Sequence, residues 1–246
     1  MKFVNRKALL LLALSISSQG YAAVALDRTR VIFDGNQNST SVVIANNNEK
    51  LPYLAQSWIE DADGKKINSP LTVVPPLQRL EPGKKSQIRI DALPAINTLP
   101  KDRESLYYFN LREIPPRTDK PNTLQIALQT KVKIFYRPAA IVPDEKLYLN
   151  PWQEKMVLNL QGKKVIVENP TPYYITLANV QREMKGKTLA GFQPVMVSPF
   201  GKADLGVTAE AIGNKPLLTY INDYGGRPEL PFNCSATKCV SVPQKK

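Results

Sequence analysis

Apolar and polar residues alternate along most of this chain, as they do in β-strands that bury one face. Turn residues such as Asp34-Gly35-Asn36 and Pro82-Gly83 separate the alternating stretches. Before residue 137 the pattern predicts seven strands: Val24–Phe33, Ser41–Ala45, Tyr53–Ile59, Leu71–Pro75, Ser86–Ile90, Leu106–Ile114 and Leu124–Tyr136. Seven short strands in roughly 115 residues are typical of a β-sandwich domain.

A second all-β domain is predicted after a proline-bounded connector, Arg137–Pro143. The alternation then resumes in eight shorter stretches: Val157–Leu160, Lys164–Glu168, Tyr173–Asn179, Phe192–Val197, Gly201–Leu205, Leu217–Asn222, Glu229–Cys234 and Cys239–Val242. The chain's 21 prolines disfavour long helices, because an interior proline removes a backbone donor. We therefore expect two β-sandwiches joined by a short, stiff hinge, with a cleft between them where a ligand would bind.

The strand Leu124–Tyr136 is the longest one predicted. Leu124, Ile126 and Leu128 project from one face about 7 Å apart, and Val132 continues that face. The residues alone favour an ordinary strand whose apolar face lies in the core. The alternative is an edge strand that pairs with another polypeptide. In that case main-chain hydrogen bonds would supply affinity and the apolar row would fill the partner's groove.

The first residues have the pattern of an export signal. Lys2, Arg6 and Lys7 precede an apolar run, Ala8–Ile16, and small residues follow it. This predicts a secretory signal peptide over residues 1–22. The alternative is an uncleaved anchor, but the run is shorter than the roughly 20 residues that a membrane span requires. No later segment is apolar enough to cross a bilayer, so we expect an exported protein without membrane insertion.

The composition argues against catalysis, and the predicted export argues against nucleic-acid binding. The chain has no histidine, which removes histidine-activated nucleophiles and the usual zinc and iron ligand sets, so no metal or other cofactor is expected. Gly186-Lys187-Thr188 resembles the end of a phosphate-binding loop, but Gln181 stands where the first glycine is required. The formal charge of +12 would suit nucleic acid, an anionic membrane or an acidic protein, and export argues against nucleic acid.

The two cysteines, Cys234 and Cys239, lie close together near the end of the chain. In an exported protein such a pair is typical of a disulfide. The spacing differs from the C-x-x-C motif of thiol oxidoreductases, which argues against a redox enzyme.

Five segments of the sequence carry a family resemblance: Asp27–Arg30, Leu99–Pro116, Leu124–Pro138, Glu168–Tyr173 and Tyr220–Gly226. They resemble the corresponding segments of the periplasmic pilus-assembly chaperones, and the resemblance covers essentially the whole chain after residue 22. It implies two immunoglobulin-like β-sandwich domains in a boomerang arrangement, residues 23–142 and 143–246. It also implies a periplasmic location and no enzymatic activity.

Chaperones of this family bind pilus subunits whose own sandwich lacks its final strand, and they deliver the subunits to an outer-membrane usher. By resemblance, Leu124, Ile126 and Leu128 are the donor-strand residues that fill the gap, and Arg30 and Lys133 anchor the subunit's terminal carboxylate. The implied partners are pilin and adhesin subunits and the usher. Self-association of the free protein stays open.

The resemblance also assigns a structural role. Glu104, Arg137 and Asp223 match the family's interdomain salt bridges, which we expect to be partly exposed and to contribute under ~1 kcal/mol each. The short loop Arg117–Asn122 resembles the branch that builds rod-like adhesive pili. Two other classes fit less well: a pilin or adhesin, which would have an incomplete sandwich, and a secreted enzyme. The resemblance is weakest in two segments, Gln181–Gly191 and Ser198–Lys215.

Overall fold

The structure is a computed structural model that describes residues 22–118, 124–144 and 151–243. The signal peptide predicted over residues 1–22 lies almost entirely outside this range, and so does most of the loop Arg117–Asn122. Within the described residues, no helix is long and apolar enough to cross a membrane.

The N-terminal domain contains two sheets. Four strands pair in the order β1-β3-β8-β6, and the other sheet has the order β2-β10-β9-β4-β5, with β7 also pairing with β4. The strands are β1 (Val24–Leu26), β2 (Arg30–Asp34), β3 (Ser39–Asn46), β4 (Tyr53–Glu60), β5 (Lys66–Ile67), β6 (Leu71–Val74), β7 (Leu77–Leu80), β8 (Lys85–Ala92), β9 (Ser105–Ile114) and β10 (Gln129–Arg137). Every second residue of the central strands is buried, so the inner faces of the two sheets form one core.

The stretch Val24–Phe33 is divided between the two sheets, so the prediction of one strand is wrong. β1 pairs antiparallel with β3, whereas β2 pairs in parallel with β10 on the opposite sheet. Asp27 still donates its backbone N–H to Val43 at 3.0 Å, and the chain then crosses to the other sheet. The crossing places Arg30 next to β10.

The strand Leu124–Tyr136 is also shorter than predicted, because β10 begins at Gln129. Residues 124–128 are exposed and do not belong to a strand. Among the described residues the longest strand is β9, with 10 residues. Alternation alone did not indicate this boundary, because it continues unchanged through Leu128.

The C-terminal domain is a sandwich built along one hydrogen-bonded path of eight strands, in the order β14-β13-β16-β17-β18-β11-β12-β15. The first residues of β17 pair with β16 and its last residues pair with β18, so this strand joins the two halves around one core. The strands are β11 (Val157–Gln161), β12 (Lys164–Glu168), β13 (Ile175–Gln181), β14 (Val195–Val197), β15 (Lys202–Thr208), β16 (Leu217–Ile221), β17 (Glu229–Ser235) and β18 (Lys238–Ser241).

Cys234 and Cys239 form a disulfide between directly opposed positions of the β17–β18 hairpin. The segment Ser198–Lys215, where the resemblance is weak, consists largely of β15 and a single-turn helix, Ala209–Ile212. Thr208 caps this helix, since its hydroxyl accepts a hydrogen bond from the Ala211 N–H.

The end of β10 leads directly into the hinge between the domains. Gly35 donates its backbone N–H to the Arg137 carbonyl at 2.7 Å, and the Tyr173 hydroxyl of the C-terminal domain donates to the Ile141 carbonyl at 2.6 Å. A Cβ on Gly35 would lie 2.7 Å from the Arg137 carbonyl oxygen and 2.8 Å from the Ala139 nitrogen. The hinge backbone can pack this closely against residue 35 only because that residue has no side chain.

Gly35→Ala should therefore lower the free energy of unfolding of the N-terminal domain by about 1–3 kcal/mol through overpacking against rigid backbone. Gln37→Ala, in the same turn but exposed, is the matched control and should change it by less than about 0.5 kcal/mol. Urea unfolding followed by circular dichroism measures both. Equal stability of the two variants would show that the hinge moves freely away from residue 35.

Candidate functional site

One edge of β10 is unpaired along the first part of the strand. On one side, β10 pairs with β9 from Gln129 to Tyr136. On the other side, β2 pairs with it only from Lys133 to Arg137. Among the described strands, residues 129–132 therefore have a neighbour on one side alone, and their other side presents unpaired main-chain groups.

The three predicted donor residues extend this edge. Leu124, Ile126 and Leu128 are 83%, 63% and 41% exposed, which is unusual for a row of large aliphatic side chains. The segment is held in place at two points. The Leu128 carbonyl accepts the Glu113 N–H at 3.0 Å, and the Gln125 amide donates to the Pro116 carbonyl at 2.6 Å.

Arg30 and Lys133 are direct neighbours, since they form the first pair of the β2–β10 ladder. They stand where the paired half of β10 meets the open half. Arg30 donates to the Ile221 carbonyl of the C-terminal domain at 3.3 Å, while its buried Nε has no hydrogen-bond partner among the described residues. In the part of the chain that the structure describes, neither residue forms an ion pair.

The pKa values of both cations are lowered. Burial lowers the pKa of Arg30, although the nearby charge of Asp223 acts in the opposite direction. Burial, and then the nearby charge of Arg30, lower the pKa of Lys133. An anion placed between them would raise the pKa of both groups, because an opposite charge favours the protonated form of each.

A cavity of about 350 Å³ opens beside Arg30, between the two domains. Two carboxylates line the cavity, and each of them already forms an ion pair. Asp27 pairs with Arg28 at 2.7 Å, and Asp223 pairs with Arg137 at 2.9 Å. The charge of Arg30 is consequently not cancelled by an ion pair within the cavity.

The predicted interdomain residues come together around Arg137, the last residue of β10. Its guanidinium lies 2.7 Å from a Glu104 carboxylate oxygen and 2.9 Å from Asp223. The rings of Trp152 and Tyr173 flank it, with centroids at 5.3 and 4.9 Å. These contacts join Arg137 to Glu104 within the N-terminal domain and to three residues of the C-terminal domain.

The expectation that this network is partly exposed is wrong. The side chains of Arg137 and Glu104 are only 2% and 1% exposed, and Asp223 is 16% exposed. The domain interface encloses them, because Tyr174 donates its backbone N–H to Glu104 at 2.7 Å and stacks on Phe135 at 5.5 Å. Losing Arg137 would therefore leave the buried charge of Glu104 without a partner, which costs much more than a surface pair contributes.

Burial raises the pKa of Glu104 to about 7, although the Arg137 charge and the Tyr174 N–H act in the opposite direction. Burial alone would lower the pKa of Arg137, but the charges of Glu104 and Asp223 together raise it. The ionised state of this network thus depends on all three residues being present.

Comparison with known proteins identifies the family. Residues 23–142 match the family model described as "Pili and flagellar-assembly chaperone, PapD N-terminal domain". Residues 151–232 match that of "Pili assembly chaperone PapD, C-terminal domain". The chain belongs to the pilus-assembly chaperone family, whose members are not enzymes, and the predicted fold and class of function are confirmed.

The similarity extends over whole chains. The probable fimbrial chaperone YfcS of Escherichia coli (strain K12) is 49% identical over 94% of this chain and 90% of its own length. The chaperone protein PapD of Escherichia coli is 49% identical over 98% of this chain and 99% of its own. Among solved structures, the Salmonella enterica SafA pilin in complex with the SafB chaperone matches with a TM-score of 0.72 at 28% identity, covering 88% of this chain and 99% of the matched chain.

Removing Arg137 tests the interdomain network. Arg137→Met should destabilise the fold by about 3–5 kcal/mol at pH 8, because it leaves Glu104 buried without a cation. The pKa of Glu104, already raised by burial, would then rise above about 7. A carboxyl with a raised folded-state pKa stabilises the fold below its unfolded-state pKa and loses that contribution as pH rises. Arg137→Met should therefore lower the free energy of unfolding by less at pH 5 than at pH 8.

The double variant Arg137→Met with Glu104→Gln is the matched control, since it removes both charges of the pair. It should be more stable at pH 8 than Arg137→Met alone and should have a weaker pH dependence. Unfolding measured in urea at both pH values gives the comparison. A loss in Arg137→Met that is independent of pH would contradict the role assigned to Glu104.

Proposed function

We propose that this protein is a periplasmic chaperone that binds pilus subunits along the open edge of β10 and passes them to an outer-membrane usher. One observation carries the proposal. Within the described residues, the pairing of β2 stops at Lys133 and leaves an unpaired edge next to a row of exposed aliphatic side chains. Arg30 and Lys133, which have no ion-pair partner among those residues, mark the point where the edge ends.

The edge suits a partner that lacks a strand. A subunit strand that aligns with residues 124–132 gains main-chain hydrogen bonds, and its sheet is extended by β10. In that pairing residues 124–128 become a strand, so that Leu124, Ile126 and Leu128 project at intervals of about 7 Å and fill a groove in the subunit's core. The similarity to a chaperone solved in complex with a pilin supports a pilus subunit as the partner.

The two cations suit the terminal carboxylate of the subunit. Arg30 and Lys133 each donate a charge-assisted hydrogen bond, which is stronger than a neutral one. A chain has one terminal carboxylate, so this contact fixes the position of the bound strand along β10. Because side chains alternate with a period of two, that position decides which subunit residues face the donor row.

The remaining assignments follow from the same proposal. The segment 1–22 directs export to the periplasm and is removed, and residues 23–142 and 143–246 form the two domains. The Arg137 network holds the C-terminal domain at a fixed position beside β2, so that the cleft is already formed when a subunit arrives.

Substitution of the two cations tests the proposal. Arg30→Ala and Lys133→Ala should each weaken subunit binding roughly tenfold to a hundredfold, because each removes a charge-assisted hydrogen bond. The measurement is the amount of soluble complex recovered when each variant is co-expressed with an exported pilin that the wild-type protein keeps soluble.

Arg89→Ala is the matched control, since Arg89 is a cation of the same domain that lies on β8 of the other sheet and forms a surface ion pair with Asp91 at 2.6 Å. It should leave the yield of complex unchanged. If both cleft variants recover as much complex as the control, the carboxylate anchor is wrong.

A further inference from the structure

Tyr224 is an aromatic residue that neither the fold nor the proposed anchor explains. Its side chain is 85% exposed, and it has no place in the core of the C-terminal domain. It lines the same cavity as Arg30, from the opposite domain. A large exposed ring in the same cavity as Arg30 suggests a ligand that has both a negative and an apolar part.

The loop that carries Tyr224 is held firmly. The Asn222 side-chain oxygen accepts the backbone N–H groups of Tyr224 at 3.1 Å and Gly226 at 2.8 Å. Gly225 has a φ of +82°, and a Cβ there would lie 2.7 Å from the Thr29 hydroxyl. The loop is thus fitted closely against the residue that precedes Arg30, and the exposed ring projects from a fixed backbone.

The position of the ring relative to Arg30 indicates what it contacts. If the proposed function is correct, a subunit's terminal carboxylate lies on Arg30, and the side chain of its last residue enters the cavity. Asp27 and Arg28 are paired with each other, and Asp223 is paired with Arg137, so these charges are already satisfied. The ring of Tyr224, together with Ile32, is then the apolar surface available to that side chain.

We propose that Tyr224 is a specificity-determining residue that contacts the side chain of the bound chain's terminal residue and selects an apolar or aromatic one over a small polar one. The inference rests on the proposed function, because it requires the carboxylate to lie at Arg30. Ring–ring contacts contribute beyond the area they bury, so an aromatic terminal residue should benefit most.

Synthetic peptides test the selection. The probes are two octapeptides of alternating threonine and valine with a free carboxylate, identical except that one ends in phenylalanine and the other in serine. The wild-type protein should bind the phenylalanine peptide about threefold to tenfold more tightly, as measured by isothermal titration calorimetry. Tyr224→Ala should bind both peptides equally, whereas Tyr224→Phe should keep the preference because it keeps the ring.

Phe200→Ala, which removes another exposed aromatic ring of the C-terminal domain, is the control and should keep the wild-type preference. A preference that persists in Tyr224→Ala would overturn the role of Tyr224 and leave the anchor intact. A third peptide, with a terminal amide in place of the carboxylate, tests the anchor separately. If the amide binds the wild-type protein as tightly as the acid does, the proposed anchor fails, whatever the result at Tyr224.

Discussion

The structure depends on how far β2 extends along β10. Its parallel pairing covers five positions, from Lys133 to Arg137, and ends there. A longer β2 would also pair with residues 129–132 and cover the open edge of β10. A shorter β2 would leave more of β10 without a neighbour on that edge. The limited pairing gives one strand two different halves, one fixed in the core and one available to a partner.

The fixed half also connects the binding edge to the second domain. Val132 and Ile134 are buried in the core of the N-terminal domain, and Arg137 ends the strand inside the domain interface. Asp223, which pairs with Arg137, is followed directly by Tyr224 at the cavity. The interdomain ion pairs and the loop that faces Arg30 are therefore adjacent in the chain. The stability of the interface and the geometry of the cleft are properties of the same few residues.

Much of this fold was predictable from alternation, since most strands lie where the pattern places them. The short strands β5 and β7 were not, because two to four residues are too few for a period of two to be recognised. The division of Val24–Phe33 was missed for another reason. Both pieces alternate, and only their partners differ, so the crossing between sheets depends on tertiary contacts rather than on local sequence.

The candidate site was less predictable than the fold. Periodicity favoured a core position for Leu124, Ile126 and Leu128, and the family resemblance alone indicated an open edge. The burial of Arg137 and Glu104 was not foreseen, because charged residues are ordinarily exposed and the enclosing surface comes from a distant part of the chain. Tyr224 was not singled out at all, since one aromatic residue in a turn produces no pattern.

The central claim is that the open half of β10 pairs with an incoming strand, and amide hydrogen exchange tests it most directly. Exchange would be compared between the free protein and its complex with a pilin, at residues 124–132. The account predicts rapid exchange of the outward-facing amides in the free protein and strong protection in the complex, with little change at residues 133–137. Equal exchange of residues 124–132 in the two states would contradict it.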